Sequence, residues 1–237
     1  MSWPIECLEN IASRYFSALV AATPAIGARF KAVNPQTVVA NNYPLRDEWI
    51  SSSRVAWNRR AYSVAYAGGI SAIRGSAQMV EAMEYVPEQL RATLELADGF
   101  DSPEERDRVV KLRGWAHVID HGVLDRDQVA QLLGNVRAGL VLFHPEPNHI
   151  NAQPNKLFEY MSAGIPVIAS DFPLWRRQLE PIGCGLLVNP LDSRAIANAI
   201  EFVFTHPQEA EAMGHRGREA VEKYYNWELE FAKLLQV

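Results

Sequence analysis

The sequence predicts an α/β fold, an open parallel sheet with helices on both faces. Three observations predict it. From Tyr62 to Phe204 short apolar runs alternate with longer segments of helical period, the order that βαβ units impose. Several of those runs are apolar from end to end, as in strands covered on both faces. The chain also has bulk enough for a core: 237 residues, 48% of them hydrophobic, which fits one domain or one and a half.

The first 42 residues stand apart. Ile5, Leu8, Ile11, Tyr15 and Leu19 recur at three- and four-residue intervals and predict a helix over 5–18. Residues 18–22 and 36–41 read as short strands. Between them Thr23 caps a small helix that Pro24 opens and that runs to Phe30. Two strands and two helices are too few for an independent open sheet. Residues 1–42 therefore read as the remnant of a separate N-terminal domain. Asn41-Asn42-Tyr43-Pro44 reads as a turn or linker, and the main domain is expected over 43–212.

Within it the strands are expected at 62–67, 91–97, 117–121, 139–143, 166–169 and 185–188. The helices between and after them are expected at 75–85, 103–112, 125–135, 154–162, 173–179 and 193–204. Ile196, Ile200, Val203 and Phe204 form the core stripe of the last. The tail is helical: 207–214, 216–224, and a final helix capped by Asn226 and carrying Trp227, Phe231 and Leu234. Residues 213–237 are expected to leave the sheet and cover another body. Right-handed crossovers place all strand C-termini on one edge, where ligands of such sheets bind.

The most informative stretch is Asn151 to Asp171. Pro154 suits the first helical turn, where its missing N–H costs nothing. Leu157, Phe158 and Met161 give an apolar stripe, Gly164 stops the helix, and Pro166-Val167-Ile168-Ala169 reads as a buried strand. Lys156 is the odd residue. Free N–H groups and the helix dipole disfavour a cation in a first turn, unless an anion shares the place. Asn155, Lys156 and Glu159 fall on one side of the helix. An exposed Lys–Glu pair, worth well under ~1 kcal/mol, is the plain alternative.

A second cation has the same setting. The first main-domain strand ends in Gly68-Gly69, and Arg74 stands at the entrance of the next helix. Paired glycines let backbone approach a ligand closely. Taken alone the stretch also fits a plain strand–helix turn. Taken together, Arg74 and Lys156 can converge on a diphosphate, with helix N–H groups as further donors. Glu159, acceptor-only when ionised, suits ribose hydroxyls. The combination predicts a nucleoside diphosphate carrying something further. The long polar loop 144–153 ends at this place, which fits contact with a sugar or acceptor, or a solvated loop.

Other classes lack their signatures. The formal charge is −5 with no basic run, which argues against a nucleic-acid surface. No apolar run approaches the ~20 residues that cross a bilayer. The first residues carry acid where a signal peptide carries base. Cys7 and Cys184 make neither a disulfide scaffold nor a zinc site, and a cytoplasmic setting is expected. Asp125-Arg126-Asp127 resembles a metal-holding Asp-x-Asp pair, but a helix cap explains it better. No metal and no cofactor are expected. The glycine-rich loops of NAD enzymes and P-loop NTPases are absent, which disfavours an epimerase or dehydrogenase.

Residues 151–171 resemble the nucleotide-sugar site of retaining GT-B glycosyltransferases, the large group-one family. That family carries two glutamates seven residues apart, then a helix of the type Glu-Ala-Met-x-x-Gly and a strand like Pro-Val-Ile-Ala-Ser. Here Glu159-Tyr160-Met161-Ser162-Ala163-Gly164-Ile165-Pro166-Val167-Ile168-Ala169-Ser170 matches the second half. The resemblance covers about residues 60–215. It implies a Rossmann-like sheet forming one half of a GT-B fold, and donor-binding roles for Gly68, Gly69, Asn151, Asn155, Leu157 and Glu159. Glu159 would hold the ribose. Asn151 takes the place of the first glutamate, so the donor-sugar contact is neutral. Arg74 keeps the charge of the family's loop lysine, and Lys156 would replace the arginine missing at Gly69. Both would act as catalytic cations on the leaving diphosphate.

The form of residues 144–161 resembles enzymes of bacterial surface-polysaccharide clusters. The implied partners are a nucleoside-diphosphate sugar and a sugar or glycolipid acceptor, with no nucleic acid. The resemblance also implies an N-terminal acceptor domain, supplied by a longer product or by a partner chain, and possible only through that half, attachment at a membrane surface. The alternative expectation is a non-catalytic nucleotide-sugar-binding module.

Overall fold

The structure is a computed structural model that describes residues 3–50 and 55–236. Met1, Ser2 and Val237, at the outer ends of the two terminal segments, lie outside the described residues.

The N-terminal segment holds α1 (Trp3–Tyr15), β1 (Leu19–Ala21), α2 (Pro24–Lys31) and β2 (Thr37–Val39). The two strands pair in parallel as a sheet of their own. Thr23 caps α2 as expected, its hydroxyl accepting from the Ile26 N–H at 3.3 Å. The stripe read along α1 is real in period but not in burial. Ile5, Leu8, Ile11 and Tyr15 are all exposed; α1 is held instead by polar contacts, Arg29 to Glu9 and Asn34 to the Ser13 carbonyl.

The main body is a six-stranded parallel sheet. In chain order it contains β3 (Ser63–Ala67), α3 (Ser76–Met83), β4 (Thr93–Ala97), α4 (Pro103–Val109), β5 (Val118–Asp120), α5 (Arg126–Asn135) and β6 (Ala138–Val141). There follow α6 (Pro147–Ile150), α7 (Asn155–Ser162), β7 (Val167–Ser170), α8 (Pro173–Leu179), β8 (Gly185–Val188) and α9 (Ser193–Thr205). The spatial order is β5-β4-β3-β6-β7-β8. Chain connections leave β3 and β6 in opposite directions, so the topological switch lies between them, the position at which such sheets bind ligands. β3, β6 and β7 are buried along their whole length, as apolar end-to-end runs require.

Two α7 contacts fix that helix over the switch. Tyr160 is fully buried, and its hydroxyl accepts from the Ala67 N–H at 3.0 Å, at the last residue of β3. Its ring lies over Gly139 of β6, where a Cβ would come within 2.2 Å of it. Gly164, at φ +66°, ends α7 as read. Pro154 is the cap residue, one position before the helix, because its ψ of 133° is extended.

Three element readings are corrected. The loop 144–153 contains α6, opened by Pro147 at its first turn. The break expected between 214 and 216 is absent: α10 (Pro207–Lys223) is one helix. Its glycines serve packing, since a Cβ on Gly214 would lie 2.4 Å from the Gly164 carbonyl oxygen. Arg91 sits outside β4 at φ +48°, so the strand starts at Thr93, two residues later than expected. The tail closes with α11 (Trp227–Leu234), capped by Asn226 as read. It returns to the linker: the Trp227 N–H donates to the Pro44 carbonyl and buried Glu230 accepts from the Asn41 N–H.

Gly214→Ala is therefore expected to destabilise by about 1–3 kcal/mol, an overpacking cost that rigid backbone cannot relieve. Gly217→Ala meets only contacts of 3.3 Å and longer and should cost less. Thermal unfolding of the two variants side by side checks the ranking.

Candidate functional site

β3 delivers Gly68 and Gly69 to the switch point. The Gly68 N–H donates to the Ala97 carbonyl at 2.8 Å, and Gly68 adopts φ +123°, a conformation open to glycine. Arg74 then sits in a 3-10 turn, Ala72–Arg74, just before α3. The loop after β6 secures that turn through the His144 N–H and the Ile73 carbonyl, 2.8 Å apart. From the other side α7 brings Lys156 in its first turn, with Glu159 one turn later.

The two cations do converge. A Cβ on Gly68 would stand 2.1 Å from Lys156 Nζ, and one on Gly69 would stand 2.9 Å from Arg74 Nη1. Arg74 donates to the Gly69 carbonyl at 3.1 Å and lies over the Phe143 ring. Lys156 Nζ lies 5.4 Å from the centre of the Tyr66 ring. Tyr66, buried, donates its hydroxyl to the same Gly69 carbonyl at 3.0 Å.

The electrostatics are strained in the free protein. Burial pulls the Lys156 pKa down, Arg74 pulls it further, and Glu159 and Asp98 oppose. Burial pushes Glu159 up, Glu48 adds to that, and Lys156 and Arg126 oppose. Burial raises the Tyr66 hydroxyl to about 12, so it stays a neutral donor. Two neighbouring cations over a glycine pair, short of counter-charge, are what a bound anion would complete.

Other expected residues distribute unevenly. Asn155 is exposed, whereas Lys156 and Glu159 are partly buried. The Leu157 side chain is fully buried in the core, so only its main chain can face a ligand. Asn151 does not join the cation group in any contact among the described residues. It is exposed and lines a separate cavity with Thr23, Pro24 and Gln153. The loop histidines have internal partners: His144 Nε2 lies 2.9 Å from Gln78 Oε1, and buried His149 contacts the His144 carbonyl through Nδ1. Asp125 forms a capping box with Gln128, the capping role that its position suggested.

The sequence reading missed Tyr66, Asp98 and the Glu48–Arg126 ion pair. Tyr66 was legible in principle, since it stands near the end of β3, two residues before the glycine pair. Asp98 follows β4 and borders a cavity of about 350 Å³ with Phe100, Arg106 and Asp120, at the sheet's C-terminal edge. Glu48 and Arg126, which meet as an ion pair, are distant in sequence and carried no signal. Among the described residues, no group of three or more His, Cys, Asp or Glu is placed to hold a metal. None of the described helices is long and apolar enough to cross a membrane.

Comparison with known proteins gives the fold and family. Residues 47–220 match the model of the glycosyl transferases group 1 family. An 81-residue stretch is 36% identical to a phosphatidyl-myo-inositol mannosyltransferase of Mycobacterium leprae, covering 34% of this chain and 21% of that protein. Sucrose-phosphate synthase from Thermosynechococcus elongatus superposes with a TM-score of 0.77 at 24% identity, over 97% of this chain and 59% of that one. HepE of Anabaena, in complex with UDP and glucose, superposes with a TM-score of 0.78 at 18% identity, over 98% and 65%. The chain thus spans less than two thirds of the length of these proteins. The match over residues 47–220 makes the chain a member of the glycosyl transferases group 1 family, with its six-stranded sheet as one half of a GT-B fold.

Proposed function

We propose that the chain binds the nucleoside-diphosphate sugar donor of a retaining hexosyl-type glycosyltransferase, acting in polysaccharide or glycoconjugate assembly on the cytoplasmic side. The observation that carries the reading is the convergence of Lys156 and Arg74 on the Gly68–Gly69 turn at the switch point. In the reaction the bond from the anomeric carbon to the phosphate oxygen breaks, and its electron pair stays on the leaving diphosphate. The sugar passes through an oxocarbenium-like state and bonds to an acceptor hydroxyl of a sugar or glycolipid, whose proton goes to the diphosphate. Lys156 and Arg74 stabilise the charge growing on that leaving group. Glu159 accepts from ribose hydroxyls, and the cavity beside Asp98 gives the nucleoside room at the strand ends.

Calorimetric titration with a nucleoside diphosphate tests it. Lys156→Ala and Arg74→Ala should each weaken binding roughly ten-fold or more, since hydrogen bonds to charged groups are worth ~1.5–3 kcal/mol. Unchanged affinity in both variants refutes the diphosphate assignment. A second reading is a nucleotide-sugar-binding module that transfers nothing alone. Transfer assays with and without a candidate partner chain separate the two.

A further inference from the structure

We propose that the cavity between the start of α2 and the α6–α7 linker takes the ring of a hexuronate, a sugar carrying one carboxylate. The cavity is about 220 Å³ and is lined by Thr23, Pro24, Ala25, Asn151, Gln153, Leu174 and Arg177. That is below the roughly 300–1,000 Å³ of sites for drug-sized ligands, so it suits a single sugar ring and not a nucleoside. The proposal deepens the reading above and rests on it in one respect: that Asn151, which the resemblance sets in the place of the family's first glutamate, contacts the sugar.

The chemistry of the walls selects the ligand. No carboxylate lines this cavity, although the chain is acidic overall and the cavity beside Phe100 carries Asp98 and Asp120. Arg177 is exposed, and among the described residues no acid or acceptor meets its guanidinium. Its neighbour Arg176 differs, being held by Asp171 at 2.6 Å and by Glu180 as well. The Asn151 side chain likewise makes no hydrogen bond among the described residues. A planar guanidinium matches a carboxylate in bidentate fashion. The amides of Asn151 and Gln153 and the Thr23 hydroxyl suit sugar hydroxyls, and Leu174 offers an apolar wall to the ring. With a single cation on the walls, a group of one negative charge is matched. A phosphate monoester, which carries about −1.5 to −2 at pH 7, is not.

The uronate can belong to the donor or to the acceptor, and two ligand pairs decide which. One pair is UDP-glucuronate against UDP-glucose; the other is a glucuronate-terminated disaccharide against its neutral counterpart. In at least one pair the charged member should bind ten-fold or more tightly, and Arg177→Glu should abolish that preference while Arg177→Lys keeps part of it. Arg177 lies on the exposed face of α8, so these variants should fold, which their thermal midpoints verify. Absence of a charge preference in both pairs, or a preference that survives Arg177→Glu, overturns the proposal. UDP alone is the control: equal binding by parent and Arg177→Glu is expected. Failure of the parent to bind UDP counts against the donor site around Lys156, while the disaccharide pair, which needs no nucleotide, still decides the uronate.

Discussion

The double variant Lys156→Met/Glu159→Gln should melt several degrees above the parent and bind no nucleoside-diphosphate sugar at working concentrations. Both groups are shifted in the direction that burial imposes, lysine down and carboxylate up, so each is costly to keep charged in the free protein. Lys156 and Glu159 form no direct ion pair among the described residues, so neutral groups of similar shape remove two poorly solvated charges; even for a true buried pair such replacement is often neutral, or stabilising by about 1–4 kcal/mol. In a chain of this size each kcal/mol moves the midpoint by about 2–4 °C. Methionine keeps an unbranched apolar stem of similar length without the charge. The single variants are less clean, because each leaves the other charge without its partner.

The sign of the pH dependence follows from the same shifts. Lys156 has a folded pKa below its unfolded value, so its cost is fully present below that lowered value and fades as pH rises through it. Glu159 has a folded pKa above its unfolded value, so its cost is fully present above that raised value and fades as pH falls through it. The stability gain of the double variant should therefore be largest between the two shifted values and shrink towards both extremes. A double variant that melts below the parent at every pH would mean that the pair holds the fold together, which removes the case for a site waiting for an anion.

Much of this arrangement was legible before any coordinates. The α7 stretch could be read because its signals are local: Pro154 at the entry, Leu157, Phe158 and Met161 at helical spacing, Gly164 at the exit. Lys156 in a first turn was visible as an electrostatic misfit, and parallel alternation alone placed it on the same edge as Arg74. What stayed hidden depends on contacts between distant residues. Gly139 reads as an ordinary strand residue, yet a side chain there would collide with the Tyr160 ring. Gly214 reads as a helix break for the same reason, since its closeness to the Gly164 carbonyl appears only after folding. Asn151 is five residues from Lys156 in sequence, but α6 and the linker turn it towards Thr23 and away from the cations. The α1 stripe has helical period and stays exposed, because period reports which residues share a face and not what covers that face.

Gly68→Ala should damage stability and ligand binding together. Two effects combine there. At φ +123° any side chain is strained, a cost of order 1–3 kcal/mol, and the residue cannot relax because its N–H is bonded to Ala97 across the sheet. The added methyl would also stand 2.1 Å from Lys156 Nζ and 2.5 Å from Cε, so the ammonium must swing out of the turn. Stability should drop by that strain, and nucleoside-diphosphate affinity should fall at least as far as in Lys156→Ala. Gly69→Ala provides the contrast. Its φ is outside the left-handed region, and its Cβ meets only the Arg74 guanidinium, at 2.9 Å. It should leave the melting temperature nearly unchanged and still weaken binding, through the displaced arginine. Calorimetry and melting curves on both variants read the two quantities separately. Normal affinity in a destabilised but folded Gly68→Ala would show that Lys156 does not act from this turn, and the diphosphate would have to be sought elsewhere on the sheet edge.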